Sequence, residues 1–114
     1  MLDLLERIRQ ERKFSHEVNG IEFQLEIPQI NYILSNLETD LNKIDFLRQQ
    51  VIGWTNANES HFVKDGDSNI QVSFNKEIFN EYIADRPSVV NVLFNEIIAK
   101  ATERATRLND LGKS

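Results

Sequence analysis

The dipeptide Asn19-Gly20 lies between two runs of alternating apolar and polar residues, and it constrains the fold more than any other feature of the chain. Before it, Phe14, His16 and Val18 alternate with polar side chains; after it, Ile21, Phe23, Leu25 and Ile27 do the same. A period of two marks a half-buried strand, and Asn-Gly favours the two-residue turn whose central positions both need positive φ. Such a turn sets Val18 opposite Ile21, His16 opposite Phe23 and Phe14 opposite Leu25, so the apolar members of both strands share one face. A β-hairpin is expected, with His16 as a partly buried structural histidine on its apolar side.

Helical spacing governs most of the rest. Residues 1–12 place Leu2, Leu5 and Ile8, with Leu4 beside them, along one side of a short amphipathic helix. Being short and terminal, it needs something to lie against, its own core or a neighbouring molecule. After the hairpin, Pro28 suits a first helical turn, and Ile30, Ile33, Leu34, Leu37, Leu41, Ile44, Leu47 and Val51 follow at spacings of three and four. One long helix, or two joined near Glu38 to Asp40, satisfies this stripe, with Gly53 ending it. Phe62-Val63 and the alternating Ile70, Val72 and Phe74 flank Asp65-Gly66, the pattern of a second short hairpin. Asn75 is a helix cap, Glu77 favours the first turn, and Ile78, Phe79, Tyr82 and Ile83 form the apolar side.

Pro87 stops that helix and opens the last one, which runs to about Asn109. Its apolar side carries Val89, Val90, Leu93, Phe94, Ile97, Ile98, Ala101, Ala105 and Leu108, and Glu96 with Lys100 and Glu103 with Arg107 are spaced for ion pairs. Residues 110–114 are expected to fray. The fold class is mainly α (α+β): about four helices with an N-terminal β-hairpin and room for a second short hairpin, in a single domain over residues 1–114.

Composition narrows the chemistry. The chain has no cysteine, which excludes disulfides, thiolate metal sites and thiol nucleophiles. Asp3 and Glu6 interrupt the start where a secretory signal needs an apolar stretch, and no run approaches the roughly 18 apolar residues of a membrane span. A soluble, intracellular protein is expected. Thirteen basic against eighteen acidic residues give a net charge of -5, which opposes binding to phosphate backbones, so nucleic acid is not an expected partner. Asn58-Glu59-Ser60 matches the glycosylation triplet, a chance match without an export signal.

Asp65, Asp67 and Asn69 stand two apart, as the first ligands of a calcium loop do. Such a loop needs glycine at its sixth position and a bidentate glutamate at its twelfth, where this chain has Ile70 and Lys76. A hairpin turn is the better reading. His16 and His61 have no near-neighbour ligand at metal-binding spacing, and neither HExxH nor a glycine-rich phosphate loop is present. Glu22 and Glu26 lie on the polar side of a strand, and Glu96 and Glu103 have helical partners, so a solvated face accounts for them. Trp54 reads as a core or lid residue. No catalytic residue, cofactor or metal is expected.

Three stretches carry a resemblance: the hairpin "VNGIEFQLEIP", the "VIGWTN" that places Gly53-Trp54 after an amphipathic helix, and "IQVSFNKEIFNEYIADRPSVVNVLFNEIIAKA", where a phenylalanine and a cap open one helix and a proline opens the next. From about Phe14 to Asn109 the chain resembles the tail assembly chaperones of long-tailed, siphovirus-type bacteriophages. It has Asn75 where such proteins usually have serine or threonine, and its loop after Trp54 is longer and more polar. The resemblance implies a late, non-catalytic factor of virion morphogenesis in the host cytoplasm. It implies binding to the tape measure protein and the major tail tube protein, self-association into a homo-oligomer, absence from the mature virion, and a longer frameshifted form. Leu2, Leu4, Leu5 and Ile8, with Ile97, Ala101, Ala105 and Leu108 on the last helix, are the candidate partner-binding residues. The alternative is a structural virion protein, a small head-tail joining or tube-associated subunit.

Overall fold

A computed structural model describes residues 3–29, 31 and 42–112. The hairpin forms as expected, with β1 (Lys13–Val18) antiparallel to β2 (Ile21–Glu26) and Phe14, His16 and Val18 opposite Leu25, Phe23 and Ile21. Asn19 and Gly20 take φ of 54° and 87°, the left-handed pair that gives the turn a twist matching its strands. Burial is unequal across the pair: Ile21, Phe23 and Leu25 are fully buried, whereas every apolar residue of β1 is half-buried. β2 is therefore the central strand.

Its second neighbour is a strand where helix was expected. Helix α2 (Lys43–Gln50), capped by Asn42 whose Oδ1 accepts from the N–H groups of Ile44 and Asp45 at 3.0 and 3.2 Å, stops before Val51. Val51–Thr55 then forms β3, antiparallel to β2, in a three-stranded sheet of order β1-β2-β3. The register runs Phe23 to Trp54, Gln24 to Gly53 and Leu25 to Val51, so Ile52 is the extra residue of a bulge. The bulge turns both Val51 and Trp54 into the core, although a regular strand puts positions three apart on opposite faces. Spacing of that kind looks helical, which is why the sequence reads Val51 as the end of a helical stripe. Gly53 is accordingly a strand residue beside Gln24, not a helix terminator. The earlier part of the stripe, Ile30, Ile33, Leu34, Leu37 and Leu41, lies outside the described residues.

The second hairpin is reduced to a single bridge. Asn58 pairs with Gln71, flanked by Val72 N–H to the Ala57 carbonyl at 2.8 Å and Glu59 N–H to the Ile70 carbonyl at 3.0 Å. Phe62-Val63 is not a strand; a 3-10 turn over Glu59–His61 precedes it. Within the loop that follows, a Cβ on Gly66 would stand 2.2 Å from the Glu59 carbonyl oxygen, so glycine is required here by close backbone approach.

The remaining helices follow their signals. α3 (Lys76–Ala84) is capped by Asn75, whose Oδ1 accepts from Glu77 and Ile78 at 2.8 and 3.1 Å, and α4 (Pro87–Gly112) starts at its proline. α4 stays helical through Gly112, beyond the expected fraying point. Val89, Val90, Leu93, Ile97 and Ala101 are buried along one side of it, at spacings of three or four beyond the Val89-Val90 pair. The core lies between the sheet and helices α2 to α4, with Phe23 at its centre: its ring packs edge-on against Trp54 and Phe79 at 6.3 and 6.1 Å. Four helices and the hairpin are thus present among the described residues, as the sequence implies.

Candidate functional site

The candidate partner-binding residues fall into two groups. Helix α1 (Leu4–Glu11) starts at Asp3, whose Oδ1 accepts from Glu6 N–H at 2.8 Å, and none of its residues is buried. Leu4 and Leu5 are 69% and 54% exposed and Ile8 is half-buried, so the apolar face of α1 finds no place in the core. Leu2 lies outside the described residues. On α4, Ile97 and Ala101 are interior at 0% and 4% exposure, which removes them from any surface, while Ala105 is half-buried and Leu108 is exposed. Leu111 also stands exposed one turn on. The cause is simple: the apolar side of α4 packs into the core as far as Ala101, and its apolar residues become exposed only in the last turns.

Ion pairs tie α1 to that end of α4. The Arg104 guanidinium, itself buried, donates to Glu11 at 2.9 Å, and Arg107 approaches the same oxygen at 3.7 Å. The hydrogen bond from Arg104 holds the Glu11 carboxyl below its usual range, and the nearby charges of Arg104, Arg107 and Arg7 act in the same direction. Arg107 therefore serves Glu11 and not Glu103, which pairs with Lys100. Sequence spacing within one helix has no means of showing a partner that lies 93 positions away.

A third surface was not visible in the sequence. The loop carrying Phe62 and Val63 faces α3 across a groove of about 1150 Å³. Phe62, Val63, Val72, Ile78 and Tyr82 line it, and Glu77, Glu81 and Asp85 stand along its α3 wall. Arg86 fixes the two walls together: its guanidinium lies 4.1 Å from the Tyr82 ring centroid and donates to the Tyr82 and His61 carbonyls at 2.9 and 3.4 Å. His61 in turn accepts from Asn58 N–H through Nδ1 at 3.0 Å. Asn80 also lines the groove, with its Oδ1 buried and without a hydrogen-bond partner among the described residues.

Other polar positions have structural employment. Trp54 is buried and donates through Nε1 to the Val72 carbonyl at 2.8 Å. Lys76 turns its Nζ to the carbonyls of Arg48 and, at 2.9 Å, Val51, closing the C-terminus of α2, while burial lowers its pKa. In the Asp65 to Asn69 stretch, Asp67 Oδ1 accepts from Asn69 N–H at 2.8 Å, the bond of an Asx turn. Among the described residues no group of three or more His, Cys, Asp or Glu is placed to hold a metal ion, and no helix is long and apolar enough to cross a membrane. No protein-family model matches the chain, and comparison with curated proteins and with solved structures yields no match.

Proposed function

We propose that the chain is a tail assembly chaperone of a long-tailed bacteriophage, a non-catalytic factor that acts in the host cytoplasm. It binds the tape measure protein, keeps it soluble and recruits major tail tube subunits, self-associating as it does so. The observation that supports this most is α1, an amphipathic helix whose leucines remain exposed while its far end is fastened to α4. A factor that shields a long helical client needs apolar ridges able to receive a helix, and it needs no nucleotide site if it covers the client stoichiometrically. The exposed Leu4 and Leu5, with Leu108 and Leu111 at the end of α4, are ridges of that kind.

Co-expression with a tape measure protein from the same genome tests the reading. The client is expected in the soluble fraction only when this chain is present. A client that precipitates despite excess of this chain overturns it, and so does stoichiometric presence in purified virions by mass spectrometry, which belongs to a structural subunit.

A further inference from the structure

The geometry points to the groove between the 59–63 loop and α3 as a docking site for a basic amphipathic helix, with apolar side chains on its floor and Lys or Arg along its acidic wall. The inference rests on the reading of this chain as a holder of another polypeptide, and it names the chemistry of the segment held. Phe62, Val63, Val72, Ile78 and Tyr82 give an apolar floor, of which Val63 is 59% exposed. A groove of about 1150 Å³ accommodates side chains from a few turns of helix.

Beyond Glu77, which suits its first-turn position, the wall runs against ordinary helix electrostatics. Glu77 and Glu81 are four apart on α3, and Asp85 follows four later as its C-cap, so like charges stack along one row. Carboxylates at that spacing repel, and an acid at a helix C-terminus faces the negative end of the macrodipole. No ion pair joins any of the three to a cation among the described residues. Arg86, the basic group on this wall, is taken up by two carbonyls and the Tyr82 ring. Asn80, whose Oδ1 is buried without a partner among the described residues, lines the same groove. Local rules broken together in one place are expected where a ligand completes the arrangement. The carboxylates recur at about 6 Å along the row, the rise of four helical residues, which matches Lys or Arg recurring every three or four positions on a helix laid alongside.

The test uses the full chain and a synthetic peptide helix with leucines on one face and lysines flanking them, free of aromatic residues. A sister peptide replaces each lysine with glutamate. Trp54, whose ring lies 5.4 Å from that of Phe62, reports binding by fluorescence, and backbone amide shifts locate it. The lysine peptide is expected to bind, to shift the amides of residues 62–63 and 77–82, and to weaken with salt; the glutamate peptide is expected not to bind. Combining Glu77→Gln, Glu81→Gln and Asp85→Asn weakens the lysine peptide about tenfold. Val63→Lys, at an exposed position that leaves the core intact, weakens it as well. Equal binding of both peptides, unchanged affinity in the triple variant, or amide shifts elsewhere overturns the assignment. Self-association that the triple variant abolishes also overturns it, because a second copy is then the occupant. A lysine peptide that fails to bind while the tape measure protein stays soluble overturns the groove alone; failure of both overturns the chaperone reading too.

Discussion

Single atoms decide two of the structure's properties. At Gly66 the space for a methyl group is filled by the Glu59 carbonyl, 2.2 Å from where it would stand. Backbone is the obstacle, so no side-chain rotation relieves it, and Gly66→Ala is expected to lower stability by roughly 1–3 kcal/mol in urea denaturation. Faster exchange of the Val72 and Glu59 amides would show that the strain enters through the Asn58 bridge. Glu11 sets the second property. Its carboxyl pKa is lowered by the Arg104 hydrogen bond and the neighbouring guanidinium charges. A group depressed on folding contributes stability above its unfolded pKa and loses that contribution as pH falls through the folded value. Acidification is therefore expected to loosen α1 before the core opens, seen as Cα chemical shifts of residues 4–11 moving toward random-coil values while those of β2 hold. Glu11→Gln should show the same displaced shifts at neutral pH, with no further loss of helix in acid; helix content of α1 that stays pH-dependent in the variant counts against this tether.

At the scale of elements, the interior side of α4 and the exposed face of α1 make a sharp contrast. Ile97→Ala is expected to cost about 2–5 kcal/mol because the side chain is fully buried. Leu4→Glu with Leu5→Glu should shift stability by less than about 0.5 kcal/mol, since both are exposed, yet abolish client solubilisation on co-expression. A stability loss in the second case would mean that α1 packs where its exposure says it does not. The elements also show what sequence reading reaches. The hairpin was legible because the Asn-Gly turn, the alternation and the register all depend on residues next to one another. Helices α3 and α4 were legible because Asn75 and Pro87 punctuate them locally. β3 was not, because Leu47, Val51 and Trp54 keep helical spacing through a bulge that only the partner strand creates. The groove was not legible for a similar reason: spacing puts Glu77, Glu81 and Asp85 on one row of α3 but cannot show the 59–63 loop opposite them.

The molecule as a whole is a broad slab, with principal extents of 56 × 40 × 19 Å and a Cα radius of gyration of 16.0 Å, against about 13 Å for a compact chain of this length. A thin body of this kind offers much surface for its mass, which suits covering a partner better than enclosing a small substrate. The aromatic cluster links one part of the slab to another: Trp54 packs on Phe74 and Phe62 at 4.9 and 5.4 Å, and Phe62 lines the groove. Ile52 lies beside that chain of contacts, in the same strand as Trp54. Deleting it would leave Gly53 alone between Val51 and Trp54, and ordinary alternation would then keep both side chains on the inward face without a bulge. The deletion should therefore leave tryptophan emission unshifted and the groove in place while the edge strand loses the extra twist of a bulge; a redshift would show that the bulge itself holds the indole. What the extra residue supplies to this strand is curvature, and the inward face survives without it.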